Sequence, residues 1–289
     1  MDAVRKAWVP QQGITMPFLA EWEREGCNVN GLEVKNLRVC ARLSGGSESA
    51  IVRGLDFCIA PGQRLAIVGT SGCGKTMTAL AILGLLPENC RAEGSVRWEG
   101  EELLTLPRRK RRALLGRSHV LIPQSGADFL NPVLSVRSQM NDALVRNGIA
   151  RAQRKTAAET LLRRVGFDDP ARVLRSYPFQ LSGGMAQRVV MAMASAGQPG
   201  LVIADEPTKG IDRDNTALFL QNLDALFPGA AVLLITHDLS VASACERLLV
   251  MQDGRAVETG ETQAVLAHPQ HAFTRQLLDD LPGRGRKDA

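Results

Sequence analysis

The sequence predicts an α/β fold with a largely parallel, buried sheet and a helical block inserted into it. Three observations predict this. Compact apolar strands at Leu65 to Val68, Leu201 to Ala204 and Ala231 to Ile235 lack polar alternation, as strands covered on both faces do. The first of them runs into Gly69-Thr70-Ser71-Gly72-Cys73-Gly74-Lys75-Thr76, a complete G-x-x-x-x-G-K-[ST] loop followed by a helical stretch from Lys75. Between Leu134 and Val190 the chain turns helix-rich before apolar strands return, which marks an insertion into the α/β core.

The elements follow in order. Met1 to Asn30 carries Trp8 and Trp22 without a clear period and is taken as an N-terminal extension, residues 1–30. From Gly31 short strands begin, Leu32 to Val39 and Ala50 to Ile59, separated by the turn-like Ser44-Gly45-Gly46-Ser47. Pro61-Gly62 turns the chain into the strand at Leu65. The helix after Lys75 is apolar nearly all round through Leu85 and Leu86, and is expected to be buried against the sheet. Val136 to Val145 and Arg151 to Val165 are amphipathic helix candidates within the insertion, which spans about residues 125–190.

The glycine-rich loop has a specific chemistry. Its glycines let successive N–H groups converge on phosphate oxygens, and the following helix points its positive end at the same anion. Lys75 is expected to reach the β- and γ-phosphates and the Thr76 hydroxyl to complete a Mg²⁺ shell. The loop alone leaves a kinase, a GTPase, a helicase and a transporter motor open.

Composition narrows the setting. The 289 residues are 45% apolar and 22% charged, an ordinary globular balance. No stretch approaches the roughly 18 to 20 consecutive apolar residues of a membrane span, and Met1 to Glu25 lacks a secretory apolar segment, so a cytosolic protein is expected. Six cysteines, Cys27, Cys40, Cys58, Cys73, Cys90 and Cys245, form no C-x-x-C pair, and reduced structural thiols are expected. The formal charge of +5 is densest at Arg108-Arg109-Lys110-Arg111-Arg112, a solvated helix face or a contact for acidic lipid headgroups or nucleic acid.

Leu201 to Ala204 ends in Asp205-Glu206. At the C-terminal end of a parallel strand, Asp205 can hold a Mg²⁺ shell while Glu206 polarises an attacking water. Leu181-Ser182-Gly183-Gly184-Met185-Ala186-Gln187-Arg188 supplies a second anion-binding helix start, with the helix expected near Met185. With this L-S-G-G-x-x-Q-R segment the chain resembles the ATP-binding cassette family from Gly31 to Gly260. Pro123-Gln124 matches the family's Q-loop, Ile211-Asp212 its D-loop and Thr236-His237-Asp238 its switch histidine. A P-loop kinase has no use for Leu181 to Arg188.

The resemblance implies a P-loop NTPase core with a mainly parallel sheet, an antiparallel β subdomain and an inserted α-helical subdomain, over residues 31–260, with 261–289 as a C-terminal tail. It implies ATP and Mg²⁺ as ligands. Gly69 to Thr76 would cradle phosphate; Thr76, Gln124 and Asp205 would serve the metal, Gln124 also sensing the lytic water; Glu206 would be the general base; His237 would face the γ-phosphate. Ser182, Gly183, Gly184 and Asp212 would serve a nucleotide shared with a second ATPase subunit. The implied assembly has two transmembrane permeases and a periplasmic or extracellular substrate-binding protein, at the cytoplasmic face of the inner membrane, with no nucleic acid.

Two departures stand out. The stretch Arg38-Val39-Cys40-Ala41-Arg42 has no aromatic where family members stack adenine, which leaves aliphatic surface or the Arg42 guanidinium. Lys209-Gly210 stands where many members have small or apolar residues, and Lys209 is either a charge near the expected dimer seam or a surface lysine with no role, the latter preferred. Further segments resemble the dipeptide, oligopeptide and nickel uptake branch: Phe129-Leu130-Asn131-Pro132, Tyr177-Pro178-Phe179-Gln180, and a tail from His268 to Leu278 with a helix expected from Pro269 and exposed imidazoles. No cysteine follows in the tail, so an iron–sulfur cluster is not expected. Soluble family members acting on DNA or ribosomes are the alternative class, with only the basic run in its favour.

Overall fold

A computed structural model describes residues 30–209 and 213–279. The first sheet is antiparallel. Strand β1 (Leu32–Arg42) pairs with β2 (Glu48–Ile59), Leu32 opposite Ile59 and Arg42 opposite Glu48. The hairpin is closed by Leu43 N–H donating to the Ser47 carbonyl at 2.9 Å, and Gly46 sits at φ 83°, a left-handed value that glycine adopts freely.

Strand β3 (Arg64–Val68) opens the second sheet and feeds helix α1 (Lys75–Leu83). The helix stops three residues before the expected apolar run ends. Gly84 takes φ 67°, its N–H reaching the Ala81 carbonyl and the Leu85 N–H the Leu80 carbonyl, a glycine C-cap. Leu85 therefore lies outside the helix and is 42% exposed.

Strands β4 (Cys90–Trp98) and β5 (Glu101–Glu102) complete the first sheet in the order β2-β1-β4-β5. Helix α2 (Arg108–Leu114) carries the basic run. Arg111 does not share a solvated face: its guanidinium donates to the Leu104 and Leu106 carbonyls at 2.8 and 3.2 Å, leaving Arg108, Arg109, Lys110 and Arg112 exposed.

Strand β6 (His119–Ile122) is followed by five helices: α3 (Gly126–Phe129), α4 (Val136–Arg146), α5 (Arg154–Arg164), α6 (Pro170–Arg175) and α7 (Gly183–Ala194). Strand β7 (Leu201–Asp205), helix α8 (Arg213–Leu226), strand β8 (Ala231–Thr236), helix α9 (Leu239–Ala242) and strands β9 (Arg247–Gln252) and β10 (Arg255–Glu261) return the chain to the sheet. The tail forms two helices, α10 (Thr262–Ala267) and α11 (Ala272–Asp279), so the expected helix starts three residues past Pro269. His268 is exposed, but His271 is half-buried and its Nδ1 accepts the Phe273 N–H at 3.2 Å.

The second sheet has the order β10-β9-β3-β8-β7-β6, parallel throughout except for β10. Its central strands divide their side chains between two cores. Leu65, Ile67, Leu201, Ile203, Leu233 and Ile235 pack towards the antiparallel sheet and α1. Ala66, Val68, Val202, Ala204, Val232 and Leu234 pack towards the inserted helices. Burial on both faces explains why these strands read as unbroken apolar runs. Cys40, Cys73, Cys90 and Cys245 are free thiols, whereas Cys58 is disulfide-bonded, which corrects the expectation of reduced thiols throughout.

Candidate active site

Parallel pairing brings three loops to one edge. Val68 lies opposite Thr236, and Asp205 opposite Ile235, so the ends of β3, β7 and β8 place the phosphate loop, Asp205-Glu206 and His237 side by side. Glycine at the loop's first and sixth positions is a steric need. A Cβ on Gly69 would stand 2.1 Å from the Met251 carbonyl oxygen, and one on Gly74, at φ 106°, would stand 3.0 Å from the Ile51 carbonyl oxygen. Gly74 caps α1 without a side-chain hydrogen bond, so the N–H groups of the first turn face the loop.

A cavity of about 250 Å³ opens here, lined by Ile51, Ser71, Gly72, Gly74, Lys75, Thr76, Met77, Gln124, Glu206 and Lys209. Gly69, Thr70 and Cys73 are not on its wall. Cys73 is buried beneath the loop, and that burial pushes its thiol pKa up. Lys75 is also buried, its ammonium donating to the Gly69 and Thr70 carbonyls at 2.7 and 3.0 Å and standing 4.0 Å from the Glu206 carboxylate.

Glu206 holds φ 48°, a region that non-glycine residues enter at a cost of about 1–3 kcal/mol. Its N–H donates to the Ile235 carbonyl at 2.8 Å, and its carboxylate lies 2.6 Å from His237 Nδ1. Glu206 is thus fastened to the neighbouring strand at both ends. Asp205 is half-buried and shares a hydrogen bond with the Thr76 side chain. Burial raises its pKa, the Thr76 bond opposes that, and the nearby Glu206 charge adds to the rise. Its Oδ1 has no hydrogen-bond partner.

That orphaned buried oxygen is the test of Mg²⁺. A carboxylate oxygen with no donor, a hydroxyl bonded to the same carboxylate and an amide side chain on the cavity wall form a hard, all-oxygen donor set, and the residues fit a magnesium ion.

The Ser-Gly-Gly segment stands elsewhere. Ser182 caps α7, its Oγ accepting the Met185 N–H at 3.3 Å, so the helix starts at Gly183 rather than near Met185. Ser182, Gly183 and Gly184 do not line the cavity. The helix they begin is nonetheless tied to it, because Gln187 Nε2 donates to the Pro123 carbonyl at 3.2 Å, one residue before Gln124. Gly126 lets α3 approach: a Cβ there would stand 2.6 Å from the Gln187 backbone nitrogen. Asp212 lies outside the described residues.

A phosphate loop, an Asp-Glu strand end, a histidine bonded to that glutamate and a separate Ser-Gly-Gly helix start are now on one scaffold, and residues 52–209 match the ABC transporter family. The chain belongs to that family. Its cassette is 41% identical over 246 residues to the dipeptide transport ATP-binding protein DppD of Escherichia coli, covering 82% of this chain and 75% of the relative. It is 41% identical to the probable peptide ABC transporter ATP-binding protein y4tR of Sinorhizobium fredii, with 81% and 71% covered. It is 40% identical to the peptidoglycan transport ATP-binding protein YejF of Agrobacterium fabrum, where it spans 47% of the relative's length. Among solved structures, the dimeric post-hydrolysis form of the ATP-binding cassette MJ0796 bound to ADP and Pi superposes with a TM-score of 0.71 at 25% identity, covering 80% of this chain and 98% of that one. The ABC cassette described here is an ATPase.

Three wall residues have no part in the site as the sequence motifs define it. Ile51 and Met77 form the cavity's apolar side, while Arg42 is exposed beyond it at the end of the β1–β2 hairpin. Lys209, read as a surface lysine, lines the cavity. A larger hollow of about 610 Å³, bordered by Leu144, Thr160 and Phe227, contains none of the residues predicted for the site.

Proposed function

We propose that this ATPase is the motor subunit of a bacterial peptide importer. It works at the cytoplasmic face of the inner membrane with a second cassette subunit, two transmembrane permeases and a substrate-binding protein. The peptide assignment is supported by the names of relatives such as DppD and y4tR. Among the described residues no helix is long and apolar enough to cross a membrane, which suits a subunit that borrows its pore.

The chemistry rests on one observation, the 2.6 Å contact between Glu206 and His237 beside the phosphate loop. The triphosphate chain enters the cavity against the amides of Gly72 and Gly74 and the start of α1. The Lys75 ammonium exchanges its loop carbonyls for the β- and γ-phosphates. Thr76, Gln124 and Asp205 would hold Mg²⁺, which when bound offsets phosphate charge and fixes the terminal phosphate. Water attacks the terminal phosphorus, its proton passes to Glu206, and ADP leaves. His237 holds Glu206 in place and faces the γ-phosphate. Ser182, Gly183, Gly184 and Asp212 serve the nucleotide shared with the second subunit.

Glu206→Gln, measured in the assembled transporter, is expected to lower hydrolysis at least ~100-fold while Mg·ATP binding persists. An undiminished rate rejects Glu206 as the base. Cells lacking the chain are expected to lose uptake of a labelled dipeptide; loss of ⁶³Ni²⁺ uptake alone would move the cargo to nickel.

A further inference from the structure

Two lysines line the cavity, and their circumstances differ. Lys75 is 6% exposed and its ammonium is held by two loop carbonyls. Lys209 is exposed and makes no ion pair with any described carboxylate, although Glu206 lies three residues away on the same wall. Its backbone is not loose. The Lys209 N–H donates to the Glu206 carbonyl at 3.2 Å, closing the turn that follows the left-handed backbone of Glu206. The Lys209 backbone is therefore fixed by the same turn that follows Glu206, and its side chain lines the cavity from there.

We propose that Lys209 is a second phosphate-facing cation of the ATP cavity, contacting the terminal phosphate from the Glu206 side. Lys209 has this role only if the cavity holds the triphosphate as proposed above. On the loop side, Gly72, Gly74, Lys75 and Thr76 surround the phosphate chain. Gln124, Glu206 and Lys209 complete the lining, and Glu206, 4.0 Å from the Lys75 ammonium, is its one acid and carries the wrong sign for phosphate. A terminal phosphate seated beside Glu206 meets like charge, and Lys209 offsets it. An ammonium on a flexible four-carbon stem has three donors and can follow the phosphate as the site closes. ADP does not extend to the Glu206 side, so Lys209 separates ATP from ADP where Lys75 serves both.

The test uses the full chain and equilibrium binding of Mg²⁺ complexes of ADP and of a non-hydrolysable ATP analogue. Lys209→Gln is expected to weaken the analogue about tenfold and ADP by less than about twofold, with Lys209→Arg retaining most of the analogue's affinity. Equal losses for both nucleotides, or none, overturn the proposal. Lys75→Ala separates the two readings. If it weakens both nucleotides while Lys209→Gln changes neither, Lys209 alone is refuted; if it changes neither, the cavity does not hold the phosphates and both readings fall.

Discussion

His119 is nearly fully buried, edge-on to Trp98 at 5.3 Å between ring centroids, and its Nε2 has no hydrogen-bond partner. Burial lowers its pKa to about 4. The unfolded chain, with an ordinary histidine near 6.5, binds more protons than the folded one between those values, so stability is complete above about pH 6.5 and falls as pH drops towards 4. The loss amounts to roughly 3 kcal/mol at most. His119→Phe keeps an aromatic ring against Trp98 and removes the titration. Urea unfolding from pH 7 to 4.5 is expected to show a shallower decline for this variant, and an identical decline would show that other groups carry it. No sequence pattern announces this residue: a lone histidine opening a four-residue strand gains its environment only when Trp98 from the other sheet arrives.

Among the elements, those that sequence made legible share a physical cause. β3, β7 and β8 are covered on both faces, so each is a continuous apolar run. β4 was hidden because most of its residues are polar or exposed, with only Val96 and Trp98 fully buried. The end of α1 was missed because Leu85 and Leu86 continue an apolar pattern that Gly84 has already terminated. The approach of α3 to α7 was equally invisible, since it depends on Gly126 meeting a backbone sixty residues away. A Cβ there would stand 2.6 Å from Gln187 N and 2.7 Å from the Ala186 carbonyl carbon, both backbone atoms. Gly126→Ala is expected to destabilise the fold by about 1–3 kcal/mol. Thermal unfolding reads this directly, and a melting temperature equal to the parent's would mean the two helices part without cost.

At the scale of the molecule, the cavity proposed for ATP and the Ser182–Gly184 helix start lie apart on the chain's own surface. The residues that sequence spacing could name, Lys75, Thr76, Gln124, Glu206 and His237, converge because the sheet aligns its strand ends. Ile51, Met77 and Lys209 come from packing, which spacing does not encode. Ser182 to Gly184 stay apart, and this separation yields a prediction. Ser182→Arg is expected to leave the isolated chain's Mg·ATP affinity within about twofold while hydrolysis by the assembled transporter drops at least ~10-fold. A parallel fall in the isolated chain's affinity would place the segment in its own site instead.

The bond from Gln187 to the Pro123 carbonyl joins the helix that Ser182 caps to the residue before Gln124. The insertion leaves the sheet at the top of β6 and returns at the bottom of β7, and α7 spans the distance between. Ser182 stands five residues before Gln187, about 7–8 Å along the helix axis. The Ser182 helix start and the segment carrying Gln124 are therefore held about a turn and a half of helix apart, so a substitution that removes the Gln187 amide frees one from the other.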